Sequence, residues 1–124
     1  MQHRGQPSTH DLPLALSVFS ALREHNPTQI PVYDKSAFHG QGDRTDPSCW
    51  HEVNRPGERP VEVVVFEGWC VGFRPLSNAE LERKWADACE KETQNPGVSQ
   101  LGKHTLENVK FVNKAMRGYD SLTE

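Results

Sequence analysis

Residues 61–75, VEVVVFEGWCVGFRP, constrain the fold of this chain more than any other stretch. Four valines and a phenylalanine form a nearly continuous apolar run over 61–66, and prolines and glycines bound it on both sides. A short run of β-branched residues of this kind is typical of a central strand that is buried on both faces. The sequence therefore predicts an α/β fold in which 61–66 is the central strand of a parallel sheet.

An acidic residue, Glu67, and a glycine, Gly68, follow this run directly. Open α/β sheets bind their ligands in the crevice outside the carboxyl ends of the strands, and a glycine lets a ligand approach closely. A carboxylate that ends so apolar a strand is costly to bury unless it has a partner or a metal ion. We therefore expect Glu67 to be functional.

Charge and length restrict the classes of function. The 124 residues are at most one domain, and the 17 acidic and 14 basic residues are interspersed, with a net charge of −3. This balance argues against nucleic-acid and membrane-surface binding. The three cysteines lack a CxxC pair, which argues against a zinc site, and neither a membrane span nor a signal peptide is visible. We expect a soluble, cytoplasmic protein.

Three segments have helical periodicity. Asp11 is a plausible N-cap for a helix that ends near residues 25–26, and Pro13 suits its first turn. Ser77 and Glu80 fit a capping box for a helix over about 78–92. Apolar residues spaced by threes and fours over 106–119 predict the last helix, and all three apolar stripes are expected to face the core.

The region between the first helix and the apolar run contains few residues that predict β-strands. Residues 30–33 predict a brief strand, and 34–54 predict a long, charged loop that is either solvated surface or a substrate-binding loop. A single central strand cannot make a sheet. We therefore expect the other strands to come from a partner or from the rest of a larger domain.

Four segments, in this order and at these intervals, resemble the glycerate kinase-like group of P-loop kinases: RGQPSTHD, IPVYDKSAFHGQGDR, VVVFEGWCVGFRPL and LENVKFVNKAMRGYD. This group is related to uridine kinase, phosphoribulokinase and pantothenate kinase, and the resemblance looks closest to its fungal ATP-dependent members. It implies a P-loop NTPase-type parallel sheet flanked by helices. It also implies ATP and Mg²⁺ as cofactors and phosphoryl transfer to a hydroxyl of a small acceptor such as glycerate.

The resemblance also implies residue roles. Asp11 and Glu67 would be catalytic, and Glu67 would either help to hold Mg²⁺ through water or orient the acceptor. Substrate-binding roles fall to Arg4, Tyr33, Asp34, Lys35, Arg44 and Arg74. Structural alternatives stay open, because Asp11 could be only a helix cap, Tyr33 a buried wall, and Asp34 the partner of Lys35 or Arg44 in a local ion pair.

The chain lacks two parts of the family pattern. It contains no GxxxxGK[ST] sequence, and the lid region that follows in the family is missing too. We expect residues 1–124 to be the central fragment of one P-loop kinase domain, inactive alone and weak in ATP binding. The alternative is a non-catalytic binding module that retains an acceptor ligand or pairs with a full-length relative.

Overall fold

The structure, a computed structural model, describes residues 5–68 and 70–123. These residues form two compact units. Residues 11–68 are called the mixed unit here, and residues 5–10 with 70–123 are called the helical unit. Arg4, to which the family resemblance gives a substrate-binding role, lies outside the described residues.

The mixed unit contains helix α1, Leu12–Arg23, and four short strands. Strand β1, Thr28–Ile30, pairs antiparallel with β4, His51–Val53. Strand β2, Tyr33–Asp34, pairs antiparallel with β3, Asp43–Arg44, and the short segment α2, Ala37–Gly40, lies in the connection between them. The predicted combination of helices and strands is confirmed, but both strand pairs in the described residues are antiparallel.

Helix α1 begins as its sequence predicts. The side chain of Asp11 accepts a hydrogen bond from the backbone N–H of Leu14 at 3.1 Å, which confirms Asp11 as the N-cap. Val18 and Leu22 are the buried residues of its apolar face. The helix ends at Arg23, two residues before the predicted end.

The prediction of a buried central strand over 61–66 is wrong for the described structure. These residues have no regular secondary structure, and Val63 and Val65 are 78% and 86% exposed. Val64 and Phe66 are less exposed, and the ring of Phe66 packs edge-on against Phe19 of α1 at 4.9 Å. The exposure therefore has the two-residue period of a strand, but no neighbouring strand among the described residues forms a ladder with it.

The prediction of one long loop over 34–54 is also wrong, because this region contains short elements. Strands β3 and β4 and a 3₁₀ turn, Pro47–Cys49, all lie in this region. The strands have only two or three residues each, which is too short to produce the alternating pattern that identifies a strand in a sequence. The structure instead ties this region back to 28–34 through two antiparallel pairs.

The helical unit consists of α3, Asn78–Gln94, α4, Leu106–Met116, and α5, Asp120–Thr123, with 3₁₀ turns at Leu101–Lys103 and Arg117–Tyr119. The capping box of α3 is confirmed, because Ser77 and Glu80 bond to each other's backbone. Leu81 and Ala88 of α3 are buried, as are Tyr119 and Leu122 near the C-terminus. No helix in the described ranges is long and apolar enough to cross a membrane.

The apolar stripe of α4 does not face a closed core as predicted. Val109, Val112 and Met116 are half-buried, and they line an open groove of about 1090 Å³ within the helical unit. Leu81 of α3 lies on the same groove. The buried position on α4 is a polar one, Asn113, which also lines this groove.

Candidate functional site

An ion pair joins two of the residues to which the family resemblance gives site roles. The guanidinium Nη2 of Arg44, on β3, donates to Oδ2 of Asp11 at 2.9 Å. The two side chains are 39% and 43% exposed, so the pair lies at the surface of the mixed unit and is open to a ligand. An ion pair this exposed contributes little to folding.

Each carboxylate oxygen of Asp11 accepts one hydrogen bond. Oδ1 accepts the backbone N–H of Leu14, and Oδ2 accepts from Arg44. The bond from Leu14 and, next, the bond from Arg44 hold the pKa of the Asp11 carboxyl below its ordinary value of 3.8. Asp11 thus caps α1 and also carries an exposed negative charge that pairs with Arg44.

The β2–β3 hairpin positions Arg44. Tyr33 lies directly across from Arg44 in the strand pair, and Asp34 lies across from Asp43. The hydroxyl of Tyr33 donates to the carbonyl of Gln41 at 3.5 Å, and Tyr33 is 47% exposed. Tyr33 is therefore a surface residue beside Arg44, and the alternative that it forms a buried wall is wrong.

Asp34 is held by a neighbour that the sequence analysis did not consider. Its Oδ1 accepts both the backbone N–H and the hydroxyl of Ser36, at 2.8 and 2.6 Å. The hydroxyl bond is the largest of the causes that lower the pKa of Asp34 below 3.8, ahead of the backbone bonds from Ser36 and Ala37. This Asx-type turn, and not an ion pair with Arg44, fixes the Asp34 side chain at the start of the hairpin connection.

The hairpin connection contains strained backbone. Phe38 and His39 have left-handed φ values of 51° and 57°, inside the segment assigned to α2. Gly40 and Gly42 follow with φ values of 88° and 79°. Left-handed backbone is unfavourable for residues with a Cβ, and such strain concentrates at functional sites. The side chain of Phe38 is 66% exposed, so it does not fill a core.

The other predicted site residues lie in different places. Lys35 is exposed at the end of β2, and Glu67 is exposed after the apolar run. The exposure of Glu67 overturns the argument that it must have a partner or metal because it is buried. Arg74 belongs to the helical unit, where it donates to Asp120 at 2.7 Å.

The described residues contain no group of three or more His, Cys, Asp or Glu side chains arranged to hold a metal. A magnesium ion that is bound mainly by phosphate oxygens and water needs only one or two carboxylates from a protein. An exposed carboxylate such as Glu67 fits that kind of donor set.

The family resemblance suggested roles for Asp11 and Arg44 but not their contact, since no local pattern relates residues 33 positions apart. It also missed Ser36 as the partner of Asp34, although an Asp-x-Ser sequence is a recognisable turn signal. The glycines at positions 40 and 42 were the available signal for the left-handed turn.

No protein-family model matches the chain. Among curated proteins, it is 42% identical over 80 residues to the chloroplastic D-glycerate 3-kinase of Arabidopsis thaliana. It is 42% identical over 83 residues to an uncharacterised kinase of Schizosaccharomyces pombe. It is 37% identical over 82 residues to a probable ATP-dependent kinase of Saccharomyces cerevisiae. These matches cover 61–65% of this chain.

Among solved structures, the D-glycerate 3-kinase of Cryptococcus neoformans superimposes with a TM-score of 0.77 at 35% sequence identity. That match covers 97% of this chain and 39% of the Cryptococcus chain. The matches cover 17–29% of the curated relatives. The chain thus spans well under half of the length of the relatives it matches.

Proposed function

We propose that this homologue of D-glycerate 3-kinase and of fungal ATP-dependent kinases supplies the acceptor-binding part of an ATP-dependent kinase for a small hydroxy acid such as glycerate. The observation that carries the proposal is the match to the Cryptococcus D-glycerate 3-kinase, at 35% identity over nearly the whole chain. Fold similarity alone would not justify a function, but this identity accompanies exposed charged residues in the matching segment.

The reaction defines what the chain must contribute. The acceptor hydroxyl oxygen forms a bond to the γ-phosphorus of ATP, the bond to the bridging oxygen breaks, and ADP leaves with that electron pair. The hydroxyl proton needs a base within hydrogen-bond reach. We assign this role to Asp11, whose carboxylate is exposed at the start of α1.

The charged hairpin supplies the acceptor-binding groups. The guanidinium of Arg44 matches the planar geometry of an acceptor carboxylate. Tyr33, Asp34 and Lys35 are exposed on or beside the adjacent strand, where they are available for the acceptor hydroxyls and carboxylate. Arg74 is proposed to meet anionic groups of the reactants, as is Arg4.

Few residues of this chain are assigned to ATP, the phosphoryl donor. Because the sequence has no GxxxxGK[ST] loop, we assign no residue of this chain to the ATP phosphates. Glu67 is the residue proposed to hold Mg²⁺ through water, where the ion would neutralise phosphate charge. We further propose that 61–66 is a strand of a parallel P-loop-type sheet in a longer kinase polypeptide, which its alternating exposure supports.

A chimera tests the proposal. The segment of the Cryptococcus D-glycerate 3-kinase that matches this chain is replaced by residues 1–124, and formation of phosphoglycerate from ATP and D-glycerate is measured. We expect phosphorylation of D-glycerate, and we expect Asp11→Asn to lower kcat by about 100-fold or more, since a base typically contributes that much. Asparagine keeps the helix cap, so folding should be unaffected.

A chimera that folds and binds ATP but transfers no phosphate to D-glycerate would contradict the proposal. An Asp11→Asn chimera with unchanged kcat would contradict the assignment of Asp11 as the catalytic base. Folding of the chimera is checked separately by circular dichroism and by a thermal transition.

A second candidate function is an acceptor-binding module without catalysis. The lack of a GxxxxGK[ST] sequence in these 124 residues favours it for the chain by itself. The chimera separates the two candidates, because the acceptor-binding part of a kinase supports formation of phosphoglycerate there, whereas a module without catalysis binds D-glycerate and forms none.

A further inference from the structure

The ion pair between Asp11 and Arg44 conflicts with the proposed role of Asp11 as a base. The carboxylate accepts from both Arg44 and the N–H of Leu14, so neither oxygen is free of a donor. A carboxylate whose charge is stabilised in this way is a weak proton acceptor. Each oxygen keeps a second lone pair, but both donors lower the proton affinity of the carboxylate, so the loss of either one would make Asp11 a stronger base.

Arg44 is the donor that can leave. The bond from Leu14 belongs to the first turn of α1, whereas the Arg44 side chain is 39% exposed and has water on one side. An ion pair between exposed side chains contributes little free energy, so exchange of its partner costs little. The Arg44 backbone stays in place during such an exchange, because β3 is paired with β2 and Thr45 N–H donates to the carbonyl of Val32 at 2.9 Å.

We propose that the carboxylate of a hydroxy-acid acceptor displaces Asp11 from Arg44, and that this exchange releases Asp11 to accept the proton of the acceptor hydroxyl. The proposal rests on the proposed function, because it concerns the same site. Arginine binds carboxylates through two parallel N–H···O bonds, so a ligand carboxylate is a direct competitor for the group that Asp11 holds.

This exchange makes the site selective for acceptors that carry a carboxylate. A polyol of similar size but without a carboxylate, such as glycerol, has no group to take Arg44 from Asp11. The base would then stay paired, and the hydroxyl would meet a weak proton acceptor. The pair thus links recognition of the anionic group to activation of the base, and the acceptor class is a small hydroxy acid.

Competition for Arg44 has an unusual consequence for binding. Removal of the charge of Asp11 should strengthen the binding of a carboxylate ligand, because the competitor and a like charge disappear together. A site in which Asp11 only orients the ligand, or only caps α1, would bind the ligand equally well or more weakly after the same change.

The test is the dissociation constant of D-glycerate, measured by calorimetry on the 124-residue chain and on three variants. Asp11→Asn keeps the helix cap, since asparagine is as good an N-cap as aspartate. Arg44→Gln removes the proposed carboxylate partner. Arg55→Gln is the matched control, because Arg55 is an exposed arginine of the mixed unit whose ion pairs are with Glu52 and Glu58. Glycerol is titrated as the uncharged probe.

We expect Asp11→Asn to bind D-glycerate at least threefold more tightly and Arg44→Gln to bind it at least tenfold more weakly, with no change in Arg55→Gln. Glycerol affinity should not respond to Arg44→Gln. Unchanged or weaker D-glycerate binding by Asp11→Asn, while the original chain binds it, overturns the exchange and leaves the proposed function standing. No D-glycerate binding by the folded original chain overturns both.

Discussion

Asn113 provides the sharpest test of how the helical unit is held together. It is a polar residue buried on α4, 7% exposed, and both ends of its side-chain amide bond to the backbone of Leu76. Leu76 N–H donates to Oδ1 at 2.8 Å, and Nδ2 donates to the Leu76 carbonyl at 2.9 Å. These bonds fix the segment that leads from Arg74 into α3.

The expected cost of Asn113→Ala follows from these two bonds. Each contributes about 1 kcal/mol net, so their loss destabilises the unit by about 2 kcal/mol. Alanine is a better helix former than asparagine, which offsets this destabilisation by up to about 0.7 kcal/mol. Asn108→Ala on the same helix makes the same propensity change, but its side chain is exposed and makes no hydrogen bond within the described part of the chain. The difference between the two variants therefore isolates the bonds.

Urea denaturation provides the measurement, with the free energy of unfolding taken from the midpoint and slope. We expect Asn113→Ala to be less stable than Asn108→Ala by about 2 kcal/mol. If the two variants unfold within about 0.5 kcal/mol of each other, the Leu76 bonds do not stabilise the unit and the reasoning is refuted.

Three further predictions concern the site and the surface charges. In the chimera, Glu67→Gln should lower kcat with little effect on the thermal transition, and an unchanged kcat would rule out Glu67 as a metal or acceptor residue. The isolated chain should bind ATP with Mg²⁺ poorly, so a micromolar dissociation constant in calorimetry would contradict the account. The backbone N–H of Gly97 and, next, that of Ser99 donate to the Glu92 carboxylate and lower its pKa below 4.5. The stabilisation that ionised Glu92 provides is therefore complete above pH 4.5 and is lost as the pH falls below that value. Urea midpoints measured between pH 6 and pH 3 should therefore depend less on pH in Glu92→Gln than in the original chain, and equal slopes would disprove this.

The sequence predicted those parts of the fold that depend on local signals. The cap at Asp11 and the capping box at Ser77 were both correct, because a polar side chain followed by a helical apolar pattern specifies a helix start nearly on its own. The short strands were not predictable in the same way. Their formation depends on partners about 10 to 25 residues away, as in the pairing of Thr28 with Val53.

Residues 61–66 show why an apolar run can mislead. Its composition is that of a buried strand, yet burial needs neighbouring strands, and none pairs with it among the described residues. The prediction for Glu67 failed in its argument for the same reason, since an exposed carboxylate needs no partner. The proposed roles of Asp11 and Arg44 came from the family resemblance, and the contact between them could be found only in three dimensions.

The location of D-glycerate on the chain tests the central claim most directly. A ¹⁵N–¹H NMR titration of the 124-residue chain reports which backbone amides respond to D-glycerate. The account predicts the largest shift changes at Asp11 and over residues 33–45, with no such changes when glycerol is added. Changes confined to the helical unit, or no changes at all, would contradict an acceptor site built from Asp11 and Arg44.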